Sequence, residues 1–136
     1  MHISLRSGEK LYINGAVLRA DRKVSLELLN DAIFLLEAHV MKIEDAATPL
    51  RQLYFIIQIM LMNPNECADA LHLCQNAIRL TMSASDNAAL NAGLHAVKAL
   101  VDNKRYFEAL RAVRALFPVE AQIMAAGEST SPTQAA

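Results

Sequence analysis

The sequence predicts an α+β protein: a small, barrel-like antiparallel β-sheet in the N-terminal part, packed with a C-terminal bundle of about four helices. Three observations carry this. Short apolar runs punctuated by turn residues fill the chain from residue 1 to about residue 43. A nearly all-apolar stretch occupies residues 50–62. Amphipathic stretches with helical spacing follow it. Residues 1–43 are thus read as a β-rich half, 44–126 as a helical bundle and 127–136 as a disordered tail.

The strand candidates come first. HISL is followed by Arg6-Ser7-Gly8-Glu9, KLYI by Asn14-Gly15, AVLR by Ala20-Asp21-Arg22, and KVSLELL by Asn30-Asp31; AIFLLE closes the series. Asn-Gly between two apolar runs is the strongest short-range hairpin signal. The apolar residues between Val24 and Leu36 fit strand or short helix equally well by periodicity. So small a sheet cannot bury both faces alone, so it must lean on the helices or on a second copy of the chain.

Residues 50–62, LRQLYFIIQIMLM, begin after Thr48-Pro49 and stop at Asn63-Pro64. Thr48 suits an N-cap and Pro49 the first helical position, where its missing N–H has no partner to lose. At 100° per residue the apolar side chains cover most of the circumference, leaving Arg51 and Gln58 as a polar strip. A helix apolar nearly all round is buried. Its length of about 20 Å is too short for a bilayer.

The second helix opens at Asn63-Pro64-Asn65-Glu66, a cap with an acidic residue three later. It turns Cys67, Leu71, Cys74, Ile78 and Met82 inward and Asp69, His72, Gln75, Asn76 and Arg79 outward. Ser83–Asp86 breaks the chain. The third helix buries Leu90, Leu94, Val97 and Val101, opposite His95, Lys98 and Asp102. After Asn103-Lys104 the fourth points Tyr106, Ala109, Leu110, Val113 and Phe117 inward, and Glu108, Arg111 and Arg114 outward. Pro118 is expected to interrupt it.

Composition narrows the function. Thirteen Lys and Arg against fourteen Asp and Glu give a net charge of −1, so no global basic field draws in nucleic acid. Cys67 and Cys74 stand too far apart along a helix for a disulfide, so free buried thiols and a reducing, cytoplasmic setting are expected. No P-loop, dinucleotide fingerprint, nucleophile elbow or zinc-type spacing occurs. His72 and His95 fall on solvent faces. The chain therefore reads as a recognition protein, not an enzyme, with no catalytic residue, metal or cofactor, and with no membrane or DNA partner.

Recognition has two sets of candidates. Arg6, Lys10, Arg19, Arg22 and Lys23 sit at strand ends and turns, where they can converge on a phosphate backbone. Tyr12 can stack on a base. On charge alone, an ordinary solvated rim is the commoner outcome. The second set, Arg51 and Gln58, needs partners if buried. An intramolecular pair with Glu37, Glu44 or a backbone carbonyl is the simpler reading, and an interface the alternative.

Two segments then carry a family resemblance. Leu5-Arg6-Ser7-Gly8-Glu9-Lys10-Leu11-Tyr12-Ile13-Asn14-Gly15-Ala16-Val17-Leu18 and Thr48-Pro49-Leu50-Arg51-Gln52-Leu53-Tyr54-Phe55-Ile56-Ile57-Gln58-Ile59-Met60 resemble the FlbT family of flagellin regulators, over roughly residues 3–118. The resemblance implies action on the 5′ untranslated leader of flagellin messenger RNA, affecting its stability or translation. It also implies a companion regulator, FlaF. The regulatory sign differs among members, and repression is the expectation here. Residues 4–13 are also similar to the opening strand–turn–strand of the carbon storage regulator family. There His2, Ser4 and Arg6 correspond to RNA-contacting positions, although that family's later basic strand is not recognisable. The rival expectation is a chaperone-like module that holds flagellin, with Met60, Met62 and Met82 as adaptable contacts. Exposed strand edges add an expected homo-oligomer.

Overall fold

The strands come first and the helices second, as the apolar pattern requires. The computed structural model describes residues 1–30, 32, 34–63 and 67–135, with side chains described through residue 127. The strands are β1 (His2–Leu5), β2 (Lys10–Ile13), β3 (Ala16–Arg19), β4 (Val24–Glu27) and β5 (Phe34–Leu36). The Asn30-Asp31 turn and the start of the last apolar run fall partly outside the described residues, at Asp31 and Ile33.

Asn14 and Gly15 both have positive φ, 48° and 83°. A two-residue I′ turn requires this, and it sets the β2–β3 register from Lys10↔Arg19 to Ile13↔Ala16. β2 pairs β5 on its other side, and β1 pairs β4. The strands thus form two small antiparallel sheets, β1–β4 and β3–β2–β5.

Side-chain alternation makes the second sheet a middle layer. Leu11, Ile13, Phe34 and Leu36 pack against Ile3 and Leu5 of the first sheet. The opposite face sends Tyr12 and Leu35 into the helical core. Phe107 touches both cores, its ring 5.3 Å from that of Phe34. The sheet therefore leans on the helices, and β3 is left as an exposed edge.

Two 3₁₀ turns, Glu37–His39 and Ile43–Asp45, lead into α1 (Pro49–Met62). Thr48 caps α1 and Pro49 opens it. The helix is the core rod: Leu50, Leu53, Ile57 and Met60 are fully buried. Packed directly on it are α2 (Ala68–Ser83) and α4 (Tyr106–Ala135), and α3 (Ala88–Asp102) packs in turn on α4 and α2. All four expected α3 core residues are buried, and Asn87 caps that helix through the Leu90 amide. Cys74 is buried and Cys67 half-buried, and neither is in a disulfide.

Several expectations are corrected. α4 runs through Pro118 without a break. A proline inside a helix costs about 3 kcal/mol, and packing of Leu116, Phe117, Val119 and Ile123 around it offsets that cost. Arg114 is half-buried instead of outward, because it lies over a ring of α1. α2 starts at Ala68 with Cys67 as its N-cap, while Asn63 caps the end of α1. Pro64, Asn65 and Glu66 of the expected cap lie outside the described residues. The backbone of α4 is helical to Ala135.

Candidate nucleic-acid interface

The five candidate cations share one end of the β-half. The turns after β1 and after β3 are stitched together there. Gly8 N donates to Ala20 O (2.7 Å), Ala20 N to Glu9 O (2.9 Å) and Ser7 Oγ to Asp21 O (3.3 Å). Gly8, at φ 82°, makes the first turn possible. Arg6 and Lys23 lie one step beyond the last ladder pair, Leu5↔Val24. Lys10 and Arg19 are directly opposite each other and so share a face. Arg6, Arg19, Arg22 and Lys23 are exposed, and Lys10 half-exposed.

Carboxylates temper this end. Glu9 accepts from the Arg6 amide and Glu37 from the Lys10 amide, each at 2.9 Å. Both act on backbone N–H groups, so neither neutralises the side-chain cation by contact. Arg22 meets Asp21 at 3.5 Å, with both side chains more than four-fifths exposed. A pair that exposed is worth little and yields readily to a phosphate. His2 is exposed on β1, opposite Glu27. Tyr12 is half-buried against the helical core, so its ring is not free on the surface with the cations.

Gln58 stands apart from the cations. Only 4% exposed, it accepts from Met41 N (2.6 Å) and donates to Met41 O (2.9 Å). Its amide satisfies both backbone groups of one residue in the connector, and so it braces the interior. Met60 is fully buried and offers nothing to a partner, whereas Met62 and Met82 are half-buried.

Arg51 has a different neighbourhood. It lies over the ring of Phe117 on α4, 4.6 Å from the centroid. In return, Arg114 of α4 lies 5.3 Å from the centroid of Tyr54 on α1 and donates to its hydroxyl. The Tyr54 hydroxyl donates to His39 O at 2.6 Å. Burial raises the Tyr54 pKa, with Arg114 acting in the opposite direction. Loss of solvent, then the Arg114 charge, lowers the His39 pKa.

Sequence reasoning missed Arg114, His39 and Glu120. A signal existed for the first. Arg51 and Tyr54, and likewise Arg114 and Phe117, are cation–aromatic pairs at i,i+3 spacing. Glu120 is buried in α4 and accepts from Thr48 Oγ1 (2.5 Å) and Leu50 N (2.9 Å), placing a carboxylate on the α1 N-terminus.

Among the described residues no cluster of three His, Cys, Asp or Glu side chains can hold a metal ion, and no helix is long and apolar enough to cross a membrane. The family model described as "Flagellar protein FlbT" matches residues 1–124. The "Probable flagellum biosynthesis repressor protein FlbT 2" of Bradyrhizobium diazoefficiens is 52% identical over the full length of both chains. Proteins named "Probable flagellum biosynthesis repressor protein FlbT" from Chelativorans sp. and Brucella anthropi are 50% and 49% identical, covering 92% and 99% of this chain and 86% and 89% of theirs. No solved structure matches the chain. With the hairpin and rod segments both inside one family match and full-length identity near one half, the chain belongs to the FlbT family of flagellar proteins.

Proposed function

We propose that this protein is a non-enzymatic, cytoplasmic repressor of flagellin expression that binds the 5′ untranslated leader of flagellin messenger RNA. The relatives' names supply the repressor role in flagellum biosynthesis. One observation supports RNA as the ligand: Arg6, Lys10, Arg19, Arg22 and Lys23 stand at one end of the β-half, on two turns tied by hydrogen bonds. A local basic end on a chain of net charge −1 directs a polyanion to one place. Reversing Arg6 and Arg22 to Glu is expected to abolish leader binding in a gel-shift assay. Unchanged affinity and salt slope would refute this placement.

A second reading has its own observation. Ile56, Leu80, Ile123 and Met124 line an open, mostly apolar groove between α1, α2 and α4. Such a groove suits an apolar helix of flagellin or of the companion regulator FlaF. Tight binding of purified flagellin with no binding of leader RNA would favour that reading. Val17 and Leu18, exposed on edge strand β3, support self-association of two copies. A 14.9 kDa particle by light scattering would exclude it.

A further inference from the structure

A cleft of about 690 Å³ opens between the connector 38–48 and the facing sides of α1 and α4. Its wall includes Arg51, Tyr54, Arg114 and Phe117, the reciprocal cation–aromatic set. Both arginines are half-buried as residues. Among the described residues neither forms an ion pair within 4.0 Å, although Glu44 and Asp45 line the same cleft. Guanidinium groups held on rings without a carboxylate contact keep N–H donors for an arriving anion, to which their hydrogen bonds are charge-assisted. The rings hold the two planes in place, so little side-chain freedom is lost when an anion binds.

The cleft continues from the basic end of the β-half. Lys10, on the helix-facing side of β2 with Arg19, donates its amide to Glu37, and the cleft wall begins at the next residue, Ala38. A chain of phosphates crossing Lys10 and Arg19 on the helix side is led there. The other end of the connector, at Glu44 and Asp45, is acidic and repels a backbone continuing past it. Guanidinium planes stacked on rings also offer a surface on which an unpaired base stacks. A volume of this size accommodates one nucleotide.

We propose that this cleft is a second RNA contact, which receives one unstacked nucleotide with its phosphate held between the Arg51 and Arg114 guanidinium groups. The inference rests on the leader-binding reading given above. A protein carboxylate is the competing anion. It is less favoured because it leaves the stacking surfaces unused and has no link to the Lys10–Arg19 face.

Two measurements test it. The first is anisotropy of labelled leader RNA with the full chain, its Arg51→Gln and Arg114→Gln variants and the Lys variants of both, with helical content checked by circular dichroism. Each Gln variant is expected to lose about tenfold in affinity, the size of one charge-assisted hydrogen bond, and about one unit of salt slope. The Lys variants keep the charge and lose the plane, so they recover the slope but not the affinity. The second needs no variant: adenosine 5′-monophosphate is titrated into the wild-type protein while the arginine Nε–H signals are followed. Movement of the Arg51 and Arg114 signals supports the site, even if whole leader fails to bind, in which case only the leader reading falls. Leader binding that is lost on reversal of Arg6 and Arg22 but indifferent to Arg51 and Arg114 overturns the inference alone. So do nucleotide titrations that leave both signals in place, or an acidic dipeptide that moves them as far.

Discussion

Gln58 makes two hydrogen bonds to the backbone of one residue, Met41, accepting from its N–H at 2.6 Å and donating to its carbonyl at 2.9 Å. The pair fastens the connector between the two halves to the core rod. Gln58→Leu keeps the bulk but leaves both groups of Met41 unpaired. We expect a loss of about 2–6 kcal/mol, at about 1–3 kcal/mol per orphaned polar group, read as a lower urea midpoint with an unchanged slope.

Glu120 performs the corresponding service at the start of α1, binding Thr48 Oγ1 and Leu50 N. Glu120→Ala removes two bonds to a charged acceptor and also relieves the burial of that charge. The expected net loss is about 1.5–3 kcal/mol. Thr48→Ala should cost about 1 kcal/mol as a lost cap, and the double variant should cost less than the sum of the two, because the residues share a bond.

The first three strands, the Asn14-Gly15 hairpin, the cap of α1 and the inner face of α3 were legible in the sequence, because each is local: a turn pair, a capping pair, a stripe at helical spacing. What stayed hidden depends on what meets what across the fold. Arg114 reads as outward on its own helix and is half-buried only because Tyr54 of α1 lies beneath it. Pro118 reads as a break because local propensity knows nothing of Phe117 and Val119 packing on the core. The five basic residues were placed in turns by the sequence, but only the bonds between the two turns bring them to one end.

His39 gives a pH dependence. Its folded-state pKa lies below the ordinary 6.5, through loss of solvent and the Arg114 charge. The unfolded chain therefore binds more protons in the interval between the two values. His39 thus contributes stability that is present above about pH 6.5 and is lost as pH falls through its lowered folded value. The melting temperature of His39→Gln should fall less than that of the parent over this window. An identical fall in both proteins would remove His39 as the cause.

Thiol chemistry should separate the two cysteines. Burial, then the Asp102 charge, pushes the Cys74 thiol up to about 12, so at pH 8 almost no thiolate forms there. Folded protein should leave Cys74 unmodified by iodoacetamide, and urea-unfolded protein should modify it fully, as read by peptide mass. Modification of Cys74 at equal rates in both states would contradict its placement on the inner face of α2.

The most direct test of the account is the affinity of purified protein for purified flagellin leader RNA, measured at two salt concentrations with no other component. Direct binding is expected, weakening steeply as salt rises and lost when Arg6 and Arg22 are reversed to Glu. Absence of binding at low salt, or binding indifferent to both salt and charge reversal, would contradict it.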